Sequence, residues 1–325
     1  MITGSDLYQI HISALQKTCI VLSIVSEDIL SDQTLSRSLY NIASRLPGPL
    51  TEENSEGNWS IEQALPLISS TQASITFLSK GGQFSSLGER VADTLRDTLS
   101  ELELALGQKL RLQFRPKLRG LYVIIDPLIT NGRDPLQIAQ WCLDGGASVV
   151  QLRDKSTDKG ESHSLANNLK LMCDDKSALF IVNDHADLAA TVGADGVHVG
   201  QTDLSVYAAR SVLSPQQIVG RSNHTLQEVL ETDRQGADYI AVGAMYPTRA
   251  KDQPIVGGTK LLRQVKEVTT TPVVAIGGIT EDRVREVTLA GADAICVITA
   301  VGLSENPFES CYRMVNTINK TRGEI

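Results

Sequence analysis

The sequence of 325 residues is poor in aromatic side chains and has no concentration of positive charge. Phe, Trp and Tyr make up only 4% of it, so a hydrophobic core must be built from Val, Ile, Leu and Ala. Basic and acidic residues number 9 and 13 before residue 116, and 21 and 25 after it, so each part has a net charge of −4. Because non-specific nucleic-acid binding requires clustered positive charge, we expect no nucleic-acid partner.

Paired cysteines and long hydrophobic segments are also missing. The five cysteines are far apart and form no CxxC pair: Cys19, Cys142, Cys173, Cys296 and Cys311. This spacing favours buried, reduced thiols over a disulfide framework or a zinc site. No run approaches the about 18 apolar residues of a membrane-spanning helix, and the first residues lack the basic stretch and apolar core of a signal peptide. We therefore expect a cytoplasmic protein with no membrane contact.

Residues 1–115 predict a small accessory domain of α+β structure. Short apolar runs at Ile20–Val25 and Ile75–Leu78 are typical of strands, and the turn-forming, acidic stretch Pro47–Asn58 predicts an exposed loop. Apolar residues at helical spacing predict an amphipathic helix over Gly88–Gly107. No clustering of catalytic residue types is present here, which favours an oligomerisation or regulatory role over a second enzymatic activity.

Residues 116–325 alternate regularly between short β-branched runs and helical stretches. The eight runs are Leu121–Ile125, Ser148–Leu152, Leu179–Val182, Gly196–Val199, Gln217–Val219, Tyr239–Val242, Pro272–Ile276 and Ala294–Val297. Eight such units in roughly 200 residues predict an α/β fold, a (β/α)₈ TIM-type barrel. An open doubly wound sheet is the alternative, but the glycine-rich sequence that should follow its first strand is missing.

Polar or glycine-rich sequence follows seven consecutive strands, at the carboxyl ends where barrel enzymes hold their active sites. The segments are Gln151–Lys155, Asn183–His185, His198–Asp203, Gly220–His224, Tyr246–Asp252, Gly277–Gly278 and Ile298–Thr299. Strand alternation places Gln151, Arg153 and Lys155 on one side of the second strand. We expect these segments to build one site.

The residue types indicate a metal-bound diphosphate. Asp184 and Asp203, on adjacent strands, would share a magnesium ion whose remaining ligands are water and phosphate. Arg153, Lys155 and Lys251 would neutralise the diphosphate.

A second phosphate is expected at Gly277–Gly278 and Thr299, after strands seven and eight. Each residue also has an ordinary structural interpretation. The two aspartates could cap the helices that follow them, and the glycine pair could form only a tight turn. The interpretation as a site rests on their convergence at one end of the barrel.

Seven segments of the sequence, in order, carry a family resemblance: QLRDK (Gln151–Lys155), VNDH (Val182–His185), GVHVGQTD (Gly196–Asp203), GRSNHT (Gly220–Thr225), GAMYPTRAK (Gly243–Lys251), AIGGIT (Ala275–Thr280) and ICVITA (Ile295–Ala300). From about residue 118 to about residue 318 the chain resembles the thiamine-phosphate synthases. The resemblance implies a barrel that joins a pyrimidine diphosphate to a thiazole phosphate with Mg²⁺. Thiamine phosphate and pyrophosphate are the products, and pyrophosphate departs first. Family members often form a homo-oligomer.

The same resemblance implies roles for individual residues. Asp184 and Asp203 would hold Mg²⁺, and the implied catalytic residues are Arg153, Lys155, Ser222 and Lys251. The implied ligands of the pyrimidine diphosphate are Gln151, Leu152, Arg153, Asp154, Lys155, Asn183, Ser222 and Lys251. Those of the thiazole phosphate are Thr248, Arg249, Ala250, Gly278, Ile298 and Thr299.

Two positions depart from the family pattern. Ala250 replaces a common threonine, and Arg249 is expected to compensate for the lost hydroxyl. Arg221 replaces a small apolar residue and adds a cation near the site, which would tighten anion binding or pair with an acid. The alternatives are a thiazole tautomerase on the same barrel and a non-catalytic barrel that binds a thiamine intermediate. Both are disfavoured because the aspartate pair and the cations are kept.

Overall fold

A computed structural model of the chain describes residues 4–46, 59–80, 86–247 and 256–324. The chain divides into two compact units, Met1–Leu110 and Arg111–Ile325, close to the predicted change of character after residue 115. The predicted loop at Pro47–Asn58 lies outside the described residues.

The described part of the first unit contains helices and no strand. The helices are α1 (Gly4–Leu30), α2 (Gln33–Arg45), α3 (Ile61–Lys80) and α4 (Ser86–Leu112), which runs to the start of the second unit. Asp32 caps α2 by accepting hydrogen bonds from the backbone N of Thr34 and Leu35. The predicted helix over Gly88–Gly107 is confirmed as part of α4, but the end predicted at Gly107 is wrong, because the helix continues to Leu112.

The two strands predicted in this unit are wrong, and the α+β assignment does not hold for its described residues. Ile20–Val25 lies within α1, and Ile75–Leu78 lies within α3. In α1, Leu15, Cys19 and Leu22 are buried at intervals of three to four residues. That spacing is the period of a helix that buries one face. The short apolar run was a fragment of this longer pattern.

The second unit is a closed barrel of eight parallel strands in sequence order, as predicted. The strands are β1 (Gly120–Ile125), β2 (Val149–Leu152), β3 (Leu179–Asn183), β4 (Gly196–Val199), β5 (Ile218–Asn223), β6 (Tyr239–Val242), β7 (Val273–Ile276) and β8 (Ala294–Val297). Its helices are α5 (Pro135–Asp144), α6 (Lys159–Asp175), α7 (Ala186–Thr191), α8 (Val206–Arg210), α9 (Leu226–Arg234), α10 (Gly258–Val268), α11 (Val284–Leu289), α12 (Thr299–Gly302) and α13 (Pro307–Arg322).

Alternation along the strands separates two cores. On β1, Val123 and Ile125 belong to the core between strands and helices, whereas Tyr122 and Ile124 belong to the core inside the barrel. On β5, Gly220 is required because a Cβ atom there would lie 1.9 Å from Cζ of Tyr239. All five cysteines are buried and unpaired, as the sequence predicts.

The amino ends of the strands are held by three aspartates, each directly before an even-numbered strand. Asp195, Asp238 and Asp293 each accept a hydrogen bond of 2.7–2.8 Å from a backbone N at the start of the preceding strand. Each also pairs with cations: Lys170 with Asp195, Arg111 and Arg210 with Asp238, and Lys266 with Asp293. Every one of these carboxylates is therefore engaged by the fold itself.

Candidate active site

A cleft of about 590 Å³, including the part open to solvent, enters the barrel at the carboxyl ends of its strands. Five of the sequence-predicted site residues line it: Gln151, Arg153, Asn183, Ser222 and Ile298. Its deeper walls are apolar or aromatic and include Ile124, Val274, Ile276 and Cys296. A concave, mostly apolar site with few polar groups is the usual form of a small-molecule site.

A chain of hydrogen bonds crosses the interior of the barrel and is formed by residues that line this cleft. Gln151 Nε2 donates to the Tyr122 hydroxyl (2.7 Å), which is 3.1 Å from the Tyr239 hydroxyl. The Tyr239 hydroxyl is 3.0 Å from His198 Nδ1, and His198 Nε2 is 2.8 Å from Ser222 Oγ. Burial raises the pKa of both phenols well above the ordinary range, so both stay protonated.

One direction of donation satisfies every atom of this chain when His198 is neutral. Tyr122 donates to Tyr239, Tyr239 donates to His198 Nδ1, and His198 Nε2–H donates to Ser222. The Ser222 hydroxyl then keeps its own proton for a ligand in the cleft. Sequence reasoning missed the two tyrosines and assigned no role to His198. The signal that could have found them is the alternation along β1, β6 and β4, which turns these three side chains into the barrel.

Asp184 directly follows Asn183, which lines the cleft, and it interacts with Asp203. Burial raises the pKa of Asp184, and so do a hydrogen bond and charge repulsion from Asp203; Lys155 Nζ, 3.2 Å from Asp184 Oδ2, opposes the rise. Asp203 Oδ2 accepts a 2.7 Å hydrogen bond from Gly200 N. Asp184 has a φ of +62°, a left-handed backbone conformation that is uncommon outside glycine.

This pair fits a magnesium site. Asp203 raises the proton affinity of Asp184, and a divalent cation bound by both carboxylates would relieve this repulsion. Mg²⁺ is usually held by one or two carboxylates, with water and substrate phosphates completing its shell. Within the described residues, no group of three or more His, Cys, Asp or Glu side chains is arranged for a metal ion, which disfavours an all-protein zinc site.

Two other residues of the QLRDK segment face away from the cleft. Leu152 is buried among the residues between strands and helices, so its side chain does not reach a ligand in the cleft. Asp154 accepts hydrogen bonds from Thr157 and Ser162 side chains and from the Ser156 and Thr157 backbone. Burial raises the pKa of Asp154, but these hydrogen bonds outweigh burial and bring it to about 2.

The loop after β7 is held against the loop after β6. Gly278 has a φ of +66°, and a Cβ atom there would lie 2.7 Å from the Tyr246 carbonyl oxygen. Arg283 Nη1 donates to the Gly278 carbonyl (2.7 Å), and its guanidinium lies 4.2 Å from the centre of the Tyr246 ring. Thr299 is exposed at the start of α12. Thr248, Arg249, Ala250 and Lys251 lie outside the described residues.

Arg221 does not enter the cleft, although it neighbours Ser222. It is 9% exposed, and its Nη1 and Nη2 atoms donate to the side-chain oxygens of Gln235 and Gln201, each at 3.2 Å. Gln201 in turn donates to the Ser222 carbonyl at 2.6 Å. The expected extra cation is thus held by two neutral amides, and no acid pairs with it in the described part of the chain.

The family model described as thiamine monophosphate synthase matches residues 121–301. The chain belongs to this family. A thiamine-phosphate synthase of Shouchella clausii is 46% identical over 184 residues, which is 56% of this chain and 87% of that protein. One from Methanospirillum hungatei is 43% identical over 183 residues, 56% of this chain and 89% of that protein.

A solved structure of the same family has the same barrel. It is the thiamine phosphate pyrophosphorylase from Pyrococcus furiosus, 35% identical, with a TM-score of 0.60 over 64% of this chain and 98% of that one. The thiamine monophosphate synthase match begins at Leu121, so it leaves the helical first unit outside. No helix in the described ranges is long and apolar enough to span a membrane.

Proposed function

We propose that the barrel is a thiamine-phosphate synthase, a transferase of thiamine biosynthesis. It joins the methylene carbon of an aminopyrimidine methyl diphosphate to the ring nitrogen of a thiazole phosphate. The products are thiamine phosphate and pyrophosphate. One observation carries this reaction: Asp184 interacts with Asp203 and Lys155 and directly follows Asn183, which lines the same cleft as Arg153, a cleft with aromatic and apolar walls.

The cleft suits a planar heteroaromatic ring. Ile124, Val274 and Ile276 offer flat apolar contacts, and Gln151 and Ser222 offer polar groups at the floor. Because both polar residues are tied to the buried tyrosine and histidine chain, their orientation is set before a ligand enters. A polar group fixed in advance discriminates strongly between rings with and without a matching partner.

The diphosphate would lie at the rim. Asp184 and Asp203 would hold Mg²⁺, which supplies charge neutralisation of the diphosphate when bound. Arg153 and Lys155 would donate to diphosphate oxygens, with Lys251 as a further cation. Lys155 is half exposed and can therefore turn from Asp184 towards an arriving anion.

The reaction then needs no nucleophile from the protein. The bond between the methylene carbon and the diphosphate oxygen breaks, and its electron pair leaves with pyrophosphate. The thiazole nitrogen lone pair forms the new carbon–nitrogen bond. Arg153 and Lys155 stabilise the negative charge that grows on the leaving group, and the cleft holds the two rings in line. Gly278 and Thr299, at the ends of β7 and β8, would bind the thiazole phosphate.

Pyrophosphate release tests this function. The purified chain, given both phosphorylated substrates, should release pyrophosphate and form thiamine phosphate only when Mg²⁺ is present. Each substrate alone serves as the control. A folded protein that releases no pyrophosphate from both substrates would contradict the proposal, and isomerisation of the thiazole alone would favour the tautomerase alternative.

We also propose that the enzyme works in the cytoplasm. Five buried, unpaired cysteines suit a reducing compartment.

The first unit would serve the assembly or regulation of a homo-oligomer. Analytical ultracentrifugation of the whole chain checks the assembly state.

A further inference from the structure

A buried carboxylate lies behind Arg153 at the end of β1. The Asp126 side chain is only 1% exposed. Its Oδ1 accepts a 3.0 Å hydrogen bond from the backbone N of Leu128, and its Oδ2 forms an ion pair with Nη1 of Arg153. A carboxylate this buried requires a charged or hydrogen-bonding partner. Asp126 therefore has a fixed place and direction, and it fixes one edge of the Arg153 guanidinium.

The ion pair leaves the rest of that guanidinium open to a ligand. The Arg153 side chain is 17% exposed and lines the cleft. Within the described residues, Nη1 is its only side-chain nitrogen with a hydrogen bond. Arg153 N also donates to Ile125 O at 2.9 Å, which joins the ends of β1 and β2 next to the pair. Because the guanidinium is rigid and planar, anchoring one edge sets the direction of the other.

We propose that Asp126 is a positioning residue for the transferase: it holds Arg153 so that the free edge of the guanidinium faces the diphosphate. This inference rests on the proposed function, since the diphosphate is the leaving group of that reaction. Asp126 itself touches no substrate. Its contribution is that Arg153 needs no reorientation when the substrate binds or when charge develops on the leaving oxygen.

Asp126→Asn tests the proposal with little change of shape. The amide oxygen can still accept from Leu128 N, but the charge that holds Arg153 is lost. We expect kcat/KM for the pyrimidine diphosphate to fall about 10- to 100-fold, while KM for the thiazole phosphate stays unchanged. Asp134→Asn, at the exposed N-cap of α5 in the same connection, is the matched control and should behave as wild type. Asp126→Glu, which restores the charge, should recover part of the loss.

A double-mutant cycle separates positioning from a general structural effect. In an Arg153→Ala background, Asp126→Asn should cause no further loss of kcat/KM. Losses that multiply in the double variant, or an unchanged kcat/KM in Asp126→Asn, would overturn the inference. If the wild type releases no pyrophosphate, the proposed function fails. In that case, calorimetry measures the binding of inorganic pyrophosphate to the wild type, the two single variants and the double variant. Equal affinity of the wild type and Asp126→Asn would overturn the inference on its own.

Discussion

The two ends of the barrel use the same residue types for opposite purposes. At the amino end, Asp195, Asp238 and Asp293 bind backbone amides and cations that belong to the fold. At the carboxyl end, Asp184 lies close to Asp203, has a left-handed backbone conformation and pairs with the half-exposed Lys155. The amino-end carboxylates stabilise the fold, whereas the repulsion between Asp203 and Asp184 would be relieved by a bound cation. The partners of an aspartate, more than its presence, distinguish the two roles.

The largest expected effect is at the carboxyl end, from Asp184→Asn. Mg²⁺-dependent pyrophosphate release should fall by at least about 10²- to 10³-fold, because a ligand of the proposed metal is lost from the site of charge development. Asparagine tolerates a left-handed backbone conformation, so the melting temperature of the variant should equal that of the wild type. Asp187→Asn, three residues on in an exposed ion pair, is the control. Wild-type turnover of Asp184→Asn in Mg²⁺ would remove the metal assignment.

The opposite outcome is expected at the amino end, from Asp238→Asn. This change leaves Arg111 and Arg210, which are largely buried, without their carboxylate. The free energy of unfolding, measured by denaturant titration, should fall by about 3 kcal/mol, with kcat/KM of the folded enzyme unchanged. Asp174→Asn, which breaks only a more exposed pair on α6, should cost about 0–1 kcal/mol. A large loss of kcat/KM without a loss of stability would break the distinction between the two ends.

Tyr122→Phe tests the hydrogen-bond chain in the interior of the barrel, between its amino and carboxyl ends. It removes the hydroxyl that pairs with Gln151 and Tyr239, and it leaves the buried Gln151 amide without its acceptor. The free energy of unfolding should fall by about 1–3 kcal/mol, and KM for the pyrimidine diphosphate should rise because Gln151 is no longer oriented. Tyr312→Phe, at a half-exposed residue, is the control. An unchanged KM would show that the tyrosine pair does not orient the site.

Asp154 lies at the carboxyl end of the barrel, but its hydrogen-bond donors belong to the fold, as do those of the aspartates at the amino end. Because its pKa is about 2 in the folded protein and higher when unfolded, it contributes stability at pH values above the unfolded pKa. That contribution is lost as the pH falls through about 2. Asp154→Asn should therefore lower stability slightly at neutral pH and flatten the loss of stability in acid, as followed by melting temperature against pH. A steeper acid loss in the variant would contradict this sign.

The barrel was predictable because its evidence is periodic and repeated eight times, with strand runs such as Tyr239–Val242 matching the structure residue for residue. The first unit was not, because Ile20–Val25 read alone resembles a strand and only the spacing of Leu15, Cys19 and Leu22 reveals the helix. At the site, polar residues that follow the strands were predicted, including Asp184 and Asp203 on adjacent strands. Asp126 also follows a strand but was not singled out, because its importance depends on Arg153, 27 positions away. Contacts between strands leave no local signal in the sequence.

The phenols inside the barrel give it a built-in optical reporter. Burial holds the pKa of Tyr122 and Tyr239 far above the ordinary value, so neither ionises while the barrel is closed. In an alkaline titration, two of the seven tyrosines would give their phenolate absorbance only when the whole barrel unfolds. Their signal would record global unfolding of the barrel without any added probe.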